Sequence, residues 1–388
     1  MKNVPKICSV IDIGSDTVKM GIYQNSKGTI KCLDQLAYPV TLGHEIFNFG
    51  QVTFSSLHEL SAILEKYKTA SAGFGAEDIH VVSTTVMREA ENSALIADRI
   101  RIQNELDVHT LSDSEEKSLL YFDIISRIEA AKLGINKAVI AYVGSGSIGI
   151  AYYEEGCISR SFNIPIGSLK LHDILGTIKN EMSDYYVVVE EYLHSILQKV
   201  DIDGCDCLII TGTEIRRIAA LCGADVKSKL PVIPTSALKS LYKNMRAVTA
   251  ENLALRLNID EESANVFSTS LSIYHELLDM VGKSAKIIAP SVSMEEIIAF
   301  QLLTPEAKVE YRKHVSQSAV KSAQHLAKKY NCNTVHYHAI SHIVCELFDK
   351  MKKIHGLDER HRNILEVAAI LHSCGQYVNI KLRTRCSF

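Results

Sequence analysis

The sequence predicts an α/β fold built twice in tandem and followed by an all-helical segment. Three observations predict it. Short apolar strands alternate with helical periods as far as about residue 302. A strand, a Gly-Ser turn and a second strand occur twice, as Val10-Ile11-Asp12-Ile13-Gly14-Ser15-Asp16-Thr17 and as Ile140-Ala141-Tyr142-Val143-Gly144-Ser145-Gly146-Ser147. No strand signal appears beyond residue 302.

The repeat aligns Gly14 with Gly144, Ser15 with Ser145, Thr17 with Ser147, and Asp12 with Tyr142. Two related halves would present their hairpin loops to one another across a cleft. Glycine lets a backbone turn tightly, and consecutive exposed N–H groups form an anion-binding nest. The pattern therefore predicts a phosphate clamp.

In order, residues 7–13 and 17–23 read as a hairpin, and Leu57, Leu60, Ile63 and Leu64 set the period of a helix over 56–70. Ile79 to Ser83 is a short strand, followed by helices over 92–105 and 114–130. A first domain of 1–125 follows. The pattern restarts with strands at 138–143, 148–153 and 157–164, a helix over 182–199, and a strand at 207–211 that runs into Gly212-Thr213. Helices over 249–257 and 261–281 complete a second domain, 126–302. In the third, 303–388, Ile340, Ile343, Val344, Leu347, Met351 and Ile354 form one apolar helix face, and Ile364, Val367, Ala368 and Leu371 another.

Bulk properties narrow the function. Of 388 residues, 47% are hydrophobic and 22% charged, which is an ordinary globular composition. A formal charge of −3 predicts neither a nucleic-acid nor a membrane partner. No run reaches the roughly 18 apolar residues of a membrane span, and the N-terminus lacks a signal-peptide apolar block. Ten cysteines are scattered without a Cys-x-x-Cys pair, which reads as reduced thiols in a cytoplasmic protein.

Several motifs carry candidate chemistry, each with a plainer alternative. Asp12, at a strand end before the turn, reads as a Mg²⁺ ligand or as a hairpin Asp bonding its own turn. Arg88, after Ser83-Thr84-Thr85, reads as a phosphate fork or as the partner of Glu91 behind a helix N-cap. Glu116, in Ser112-Asp113-Ser114-Glu115-Glu116, reads as a general base or as part of a capped helix start. Gly167, Ser168 and Lys170 form a further phosphate contact or an ordinary turn. Gly212 and Thr213 stand where a helix begins after a strand. His338 and His342 share a helix face at metal-ligand spacing, or are structural.

Taken together and in order, these motifs resemble the exopolyphosphatase and guanosine-pentaphosphate phosphatase (Ppx/GppA) family over about residues 7–300: Ile11 through Asp16, Thr84 through Ala90, Ser112 through Glu116 with Tyr121, Gly144 through Ser147, Pro165 through Ser168, and Gly212-Thr213. The tail resembles a truncated, degenerate HD-type helical domain whose His-Asp pair is broken at His372-Ser373. The resemblance implies two actin-like (ribonuclease-H-like) lobes around a phosphate cleft, and a homodimer. It implies Mg²⁺-dependent hydrolysis of terminal phosphoanhydride bonds in polyphosphate or a phosphorylated guanosine nucleotide. Glu116 would activate water and Asp12 would hold the metal. Gly14, Ser15, Arg88, Gly144, Ser145, Gly146, Ser147, Gly167, Ser168, Lys170, Gly212 and Thr213 would grip phosphate.

The sequence departs from the family pattern where it matters most. The second phosphate motif of the family carries two acids, at positions where this chain has Tyr142 and Gly149. Thr41 replaces a frequent arginine, and Met294-Glu295-Glu296-Ile297 replaces a Leu-Arg-Glu-Gly run. Two further expectations follow: a catalytically lapsed receptor for polyphosphate or an alarmone, and an ATP-dependent kinase of the actin-like superfamily.

Overall fold

The computed structural model describes residues 6–26, 28–76, 78–176, 185–197, 205, 207–246, 248–281, 286–379, 381, 385 and 387. The chain divides into two compact units. One comprises Met1–Ile150 and Phe162–Lys308, the other Ala151–Ser161 and Val309–Phe388.

Two sheets are present among the described residues. The first is made of β1 (Ile7–Ile13), β2 (Thr17–Ser26), β3 (Thr29–Pro39), β4 (Asp78–Ser83) and β5 (Val108–Thr110), in the order β3-β2-β1-β4-β5. The second contains β6 (Lys137–Val143), β7 (Ile148–Glu154), β8 (Cys157–Ile164), β9 (Cys207–Gly212), β10 (Val232–Ile233) and β11 (Lys286–Ile288), in the order β10-β11-β9-β6-β7-β8. Setting aside the added edge strand β10, the two orders are the same. In each sheet the first strand pairs in parallel with the fourth (β1 with β4, β6 with β9). This is the doubled arrangement that the repeated turn predicts, and it fits the actin-like pair of lobes that the family resemblance implies.

The helices of the first half are α1 (Leu42–Phe49), α2 (Phe54–Gly73), α3 (Thr85–Glu89), α4 (Ser93–Asn104) and α5 (Asp113–Ala130). Those of the second are α6 (Ser168–Gly176), α7 (Tyr185–Leu197), α8 (Ile215–Leu221), α9 (Thr235–Arg246), α10 (Ala250–Leu257), α11 (Glu261–Val281) and α12 (Met294–Leu303). The helix expected over 182–199 is present as α7, and the rest of that range lies outside the described residues.

Strand alternation decides where Asp12 points. Ile11 and Ile13 enter a core built with Leu57, Leu60 and Leu64 of α2 and Ile96 and Ile100 of α4. Cys8 and Val10 face the opposite way and pack on Ala299 and Leu303 of α12. A period of two puts Asp12 on the α12 side. The last helix of the second half thus covers the first sheet, which the sequence pattern does not reveal.

The second unit contains α13 (Pro305–Lys329), α14 (Thr334–Lys350), α15 (Lys352–His355) and α16 (Glu359–Leu371). Its core joins Ala323, Ala327, Cys332, Tyr337 and Ile370. The apolar helix faces read from the sequence lie largely at the surface. Ile343, Leu347, Met351, Ile354 and Ile364 are all exposed. Helix α14 buries Tyr337, Ser341, Cys345 and Phe348 instead. His338 and His342 are also exposed, and His372 meets His336 rather than either of them, with the two Nε2 atoms 3.3 Å apart. No group of three His, Cys, Asp or Glu that could hold a metal exists among the described residues.

Candidate functional site

Both Gly-Ser turns are tight hairpins that spend one amide on themselves. Gly14 N–H donates to Thr17 O at 3.1 Å, and Gly144 N–H to Ser147 O at 2.9 Å. Ser168 N–H donates to Gly144 O (2.9 Å), while Leu169 and Lys170 N–H donate to Ser145 O (3.1 and 3.0 Å). Thr213 N–H reaches Val143 O at 3.3 Å. Hence the amides of Gly14, Gly144, Ser168, Lys170 and Thr213 bind the protein itself. Those of Ser15, Ser145 and Gly146 have no hydrogen-bond partner among the described residues.

Gly167 and Gly212 are joints at the second turn. A Cβ on Gly167 would lie 2.2 Å from Gly144 O. Gly212 has φ +144°, and a Cβ there would lie 2.0 Å from Val143 O. Only glycine tolerates either place.

The two halves meet closely around these turns. Ser15 O accepts from Gly43 N–H at 2.7 Å, and a Cβ on Gly43 would sit 2.7 Å from both Ser15 Cβ and Leu169 Cδ2. Leu169 is in turn bonded to Ser145, so both turns border one shared seam. On its other side, a Cβ on Gly146 would lie 2.5 Å from Thr85 Cγ2. Ion pairs close the seam. Lys170 Nζ lies 2.7 Å from Glu89 Oε2, and His44 bridges Asp173 (2.9 Å) and Glu262 (2.5 Å). The hydrogen bond to Asp173 raises the His44 pKa.

Helix α5 carries the candidate base. Ser112 and Glu115 form a reciprocal capping box, so the capped-helix reading holds, and Glu116 follows one residue later. Glu116 is buried, with Arg88 Nη2 2.8 Å from its Oε2. Arg88 Nη1 also donates to Leu111 O at 2.9 Å. Arg88 therefore pairs with Glu116 and not with Glu91. Ser83 ties this corner to the first turn by donating to Ile13 O at 2.9 Å.

Asp12 is only partly exposed, and its Oδ1 is sealed from solvent without a hydrogen-bond partner. It does not bond its own turn as the plain hairpin reading expects. Burial, with help from the Glu295, Glu116 and Asp16 charges against Lys19, pushes its pKa up to about 7. Tyr142 stands at the matching place on β6, and burial beside Glu116 and Asp12 holds its phenol well above the ordinary range. The space beside Gly149 is filled as well. A Cβ there would lie 2.6 Å from Tyr121 Oη and 3.0 Å from Lys117 Cε.

Lys117 is the residue that sequence reasoning missed. Its buried ammonium donates to Asp113 Oδ1 (2.8 Å) and Ser147 Oγ (2.9 Å), and lies 3.5 Å from Glu116 Oε2. It also sits 5.3 Å from the centre of the Tyr142 ring. The available signal was a lysine four residues after Asp113 and directly after Glu116.

For a divalent cation, Asp12 offers a carboxylate oxygen without a hydrogen-bond partner, whereas the equally unbonded Glu116 Oε2 faces Arg88 and Lys117. Mg²⁺ needs only one or two carboxylates when substrate phosphates complete its shell. The second turn adds none, since Tyr142 and Gly149 occupy the two places.

Comparison with known proteins follows the same outline. The model of the Ppx/GppA phosphatase family matches residues 21–305, and that of Ppx/GppA phosphatase domain III matches residues 320–388. The fold is similar to that of a Ppx/GppA family member from Aquifex aeolicus, 20% identical, over 78% of this chain and 99% of that one, with a TM-score of 0.65. It is also similar to an exopolyphosphatase from Cytophaga hutchinsonii, 17% identical, over 77% and 98%, with a TM-score of 0.69. No helix among the described residues is long and apolar enough to cross a membrane.

Proposed function

The chain belongs to the Ppx/GppA phosphatase family, and on that premise we propose that it hydrolyses terminal phosphoanhydride bonds of polyphosphate or of a phosphorylated guanosine nucleotide. One observation carries the proposal: a buried carboxylate, Glu116, is held 2.8 Å from the Arg88 guanidinium beside two turns whose Ser15, Ser145 and Gly146 amides are unspent.

A guanidinium fork prefers the several charged oxygens of a phosphate chain to one carboxylate. Arriving phosphate would draw Arg88 partly away from Glu116. The carboxylate, buried and released from its counter-ion, would then accept a proton from the attacking water. Phosphoryl transfer needs mainly positioning and charge neutralisation, and the unspent amides supply donors whose directions are fixed by the hairpins. Asp12 would hold Mg²⁺, which when bound neutralises charge on phosphate oxygens. The helical unit would be an HD-like shell without its metal pair, since Ser373 follows His372.

The test is phosphate release from tripolyphosphate, long-chain polyphosphate and guanosine pentaphosphate. Turnover should fall by about 10²-fold or more in Glu116→Gln, the scale of losing a general base. Turnover that survives that substitution would remove the assignment.

A second reading, a receptor that binds such chains without cleaving them, is favoured by the packing at Gly149. Tyr121 and Lys117 leave no room there for an acid. Tight binding without phosphate release would select it.

A further inference from the structure

We propose that Lys117 is the fixed cation of the second phosphate turn, and that it lets this half of the cleft bind phosphate without a divalent ion. The inference rests on the phosphate-binding reading of the cleft, whether or not the bound chain is cleaved.

The geometry is specific. A lysine ammonium has three N–H donors and no acceptor. Two of them are fixed, one on Asp113 Oδ1 at 2.8 Å and one on Ser147 Oγ at 2.9 Å. Ser147 must therefore accept from Lys117, and its own hydroxyl hydrogen has no acceptor among the described residues. A hydroxyl held in this way keeps its hydrogen for a further acceptor. It stands in the turn whose neighbouring Ser145 and Gly146 amides are also unspent.

The charge balance points the same way. Where the family pattern has acids that would attract a metal, this chain has Tyr142 and Gly149. The ammonium lies over the Tyr142 ring, and the lysine stem packs beside Gly149. An acid at either place would be a third carboxylate beside Lys117, after Asp113 and Glu116, and would repel an arriving phosphate. With neutral residues there, the carboxylates against the Lys117 ammonium are Asp113 (2.8 Å) and Glu116 (3.5 Å) of its own helix, and its contact with the turn is the Ser147 hydroxyl. Lys117 is thus a positioning residue that acts through Ser147.

Titration calorimetry with sodium tripolyphosphate, in EDTA and then with Mg²⁺, tests this. The wild-type chain should bind in EDTA. Lys117→Met should bind about 10- to 100-fold more weakly, the scale of a charge-assisted hydrogen bond. Ser147→Ala should weaken binding in the same direction, and Lys117→Arg should restore part of it. A purely structural lysine would lower the thermal midpoint of Lys117→Met without this split between the metal-free affinities of the Met and Arg variants. Wild-type binding seen only with Mg²⁺, or unchanged binding in Lys117→Met, would overturn the role of Lys117 alone. If Lys117→Met fails to fold, Ser147→Ala carries the same test, and unchanged affinity in EDTA rejects the proposal. Failure of the wild-type chain to bind under either condition would instead overturn the phosphate-binding reading itself.

Discussion

Asp12→Asn should make the first unit more stable at pH 8 and leave it almost unchanged at pH 4. An aspartate in an unfolded chain titrates near 3.9, whereas in the folded chain Asp12 is pushed up to about 7. Between these values the folded state binds a proton that the unfolded state has released. Stability from this group is therefore fully present below about pH 4 and is lost as pH rises through about 7. Three units at about 1.36 kcal/mol each give an upper figure of about 4 kcal/mol. Because Asp12 keeps some solvent contact, a gain of about 2 kcal/mol at pH 8 is the expectation. The neutral amide has no such penalty, so the advantage of the variant should grow steadily between pH 4 and pH 8. Urea unfolding at pH 4, 6 and 8, followed by circular dichroism, measures it. An equal effect at all three pH values, or a loss at pH 8, would refute the argument. Glu295→Gln should reduce the same slope in the wild-type background, because Glu295 is the largest charge acting on Asp12.

Gly149→Ala should cost about 1–3 kcal/mol, since its new methyl group would press on Tyr121 Oη and Lys117. Tyr121→Phe removes a buried hydroxyl that has no partner. It should stabilise the fold by about 1 kcal/mol and soften the cost of Gly149→Ala, which a double-mutant thermal cycle would record. His44 joins the two halves through Asp173 and Glu262, and its pKa is raised. Its stabilisation is thus fully present below the ordinary histidine value and lost as pH rises through the elevated one. His44→Asn should flatten the fall in thermal midpoint over that window, and an unchanged profile would show that the bridge contributes nothing. Ser112→Ala should cost about 1 kcal/mol by breaking the capping box, read as a lower thermal midpoint.

The doubled sheet was legible because buried strands declare themselves by apolar composition and glycine punctuation, so β1, β6 and β9 stood out. Strand β3 did not, since it lies at an edge with most of its side chains exposed and no apolar alternation. Helices α1, α6 and α12 were also hidden. Each is ten residues or fewer, and its burial is set by a distant neighbour, as with Leu169 at Gly43. The position of α12 over Cys8 and Val10 is a tertiary fact that no local window contains.

The site followed the same rule. Residue types at strand ends could be named in advance, but not which groups were already engaged. Glu116 and Arg88 were read as separate candidates, yet they neutralise one another. Sequence offers Lys170 as a phosphate contact or part of an ordinary turn, and its amide and its ammonium are both committed, to Ser145 and Glu89. The missing acids at positions 142 and 149 look like simple losses in sequence. In three dimensions their space is occupied by a phenol and the stem of Lys117, so the replacement is a repacking around a cation. Putting acids back would not restore an earlier site. It would place a carboxylate against Tyr121 and pair the Lys117 ammonium, so acids at 142 and 149 should raise Mg²⁺-dependent turnover above that of the unchanged chain only if position 117 changes with them.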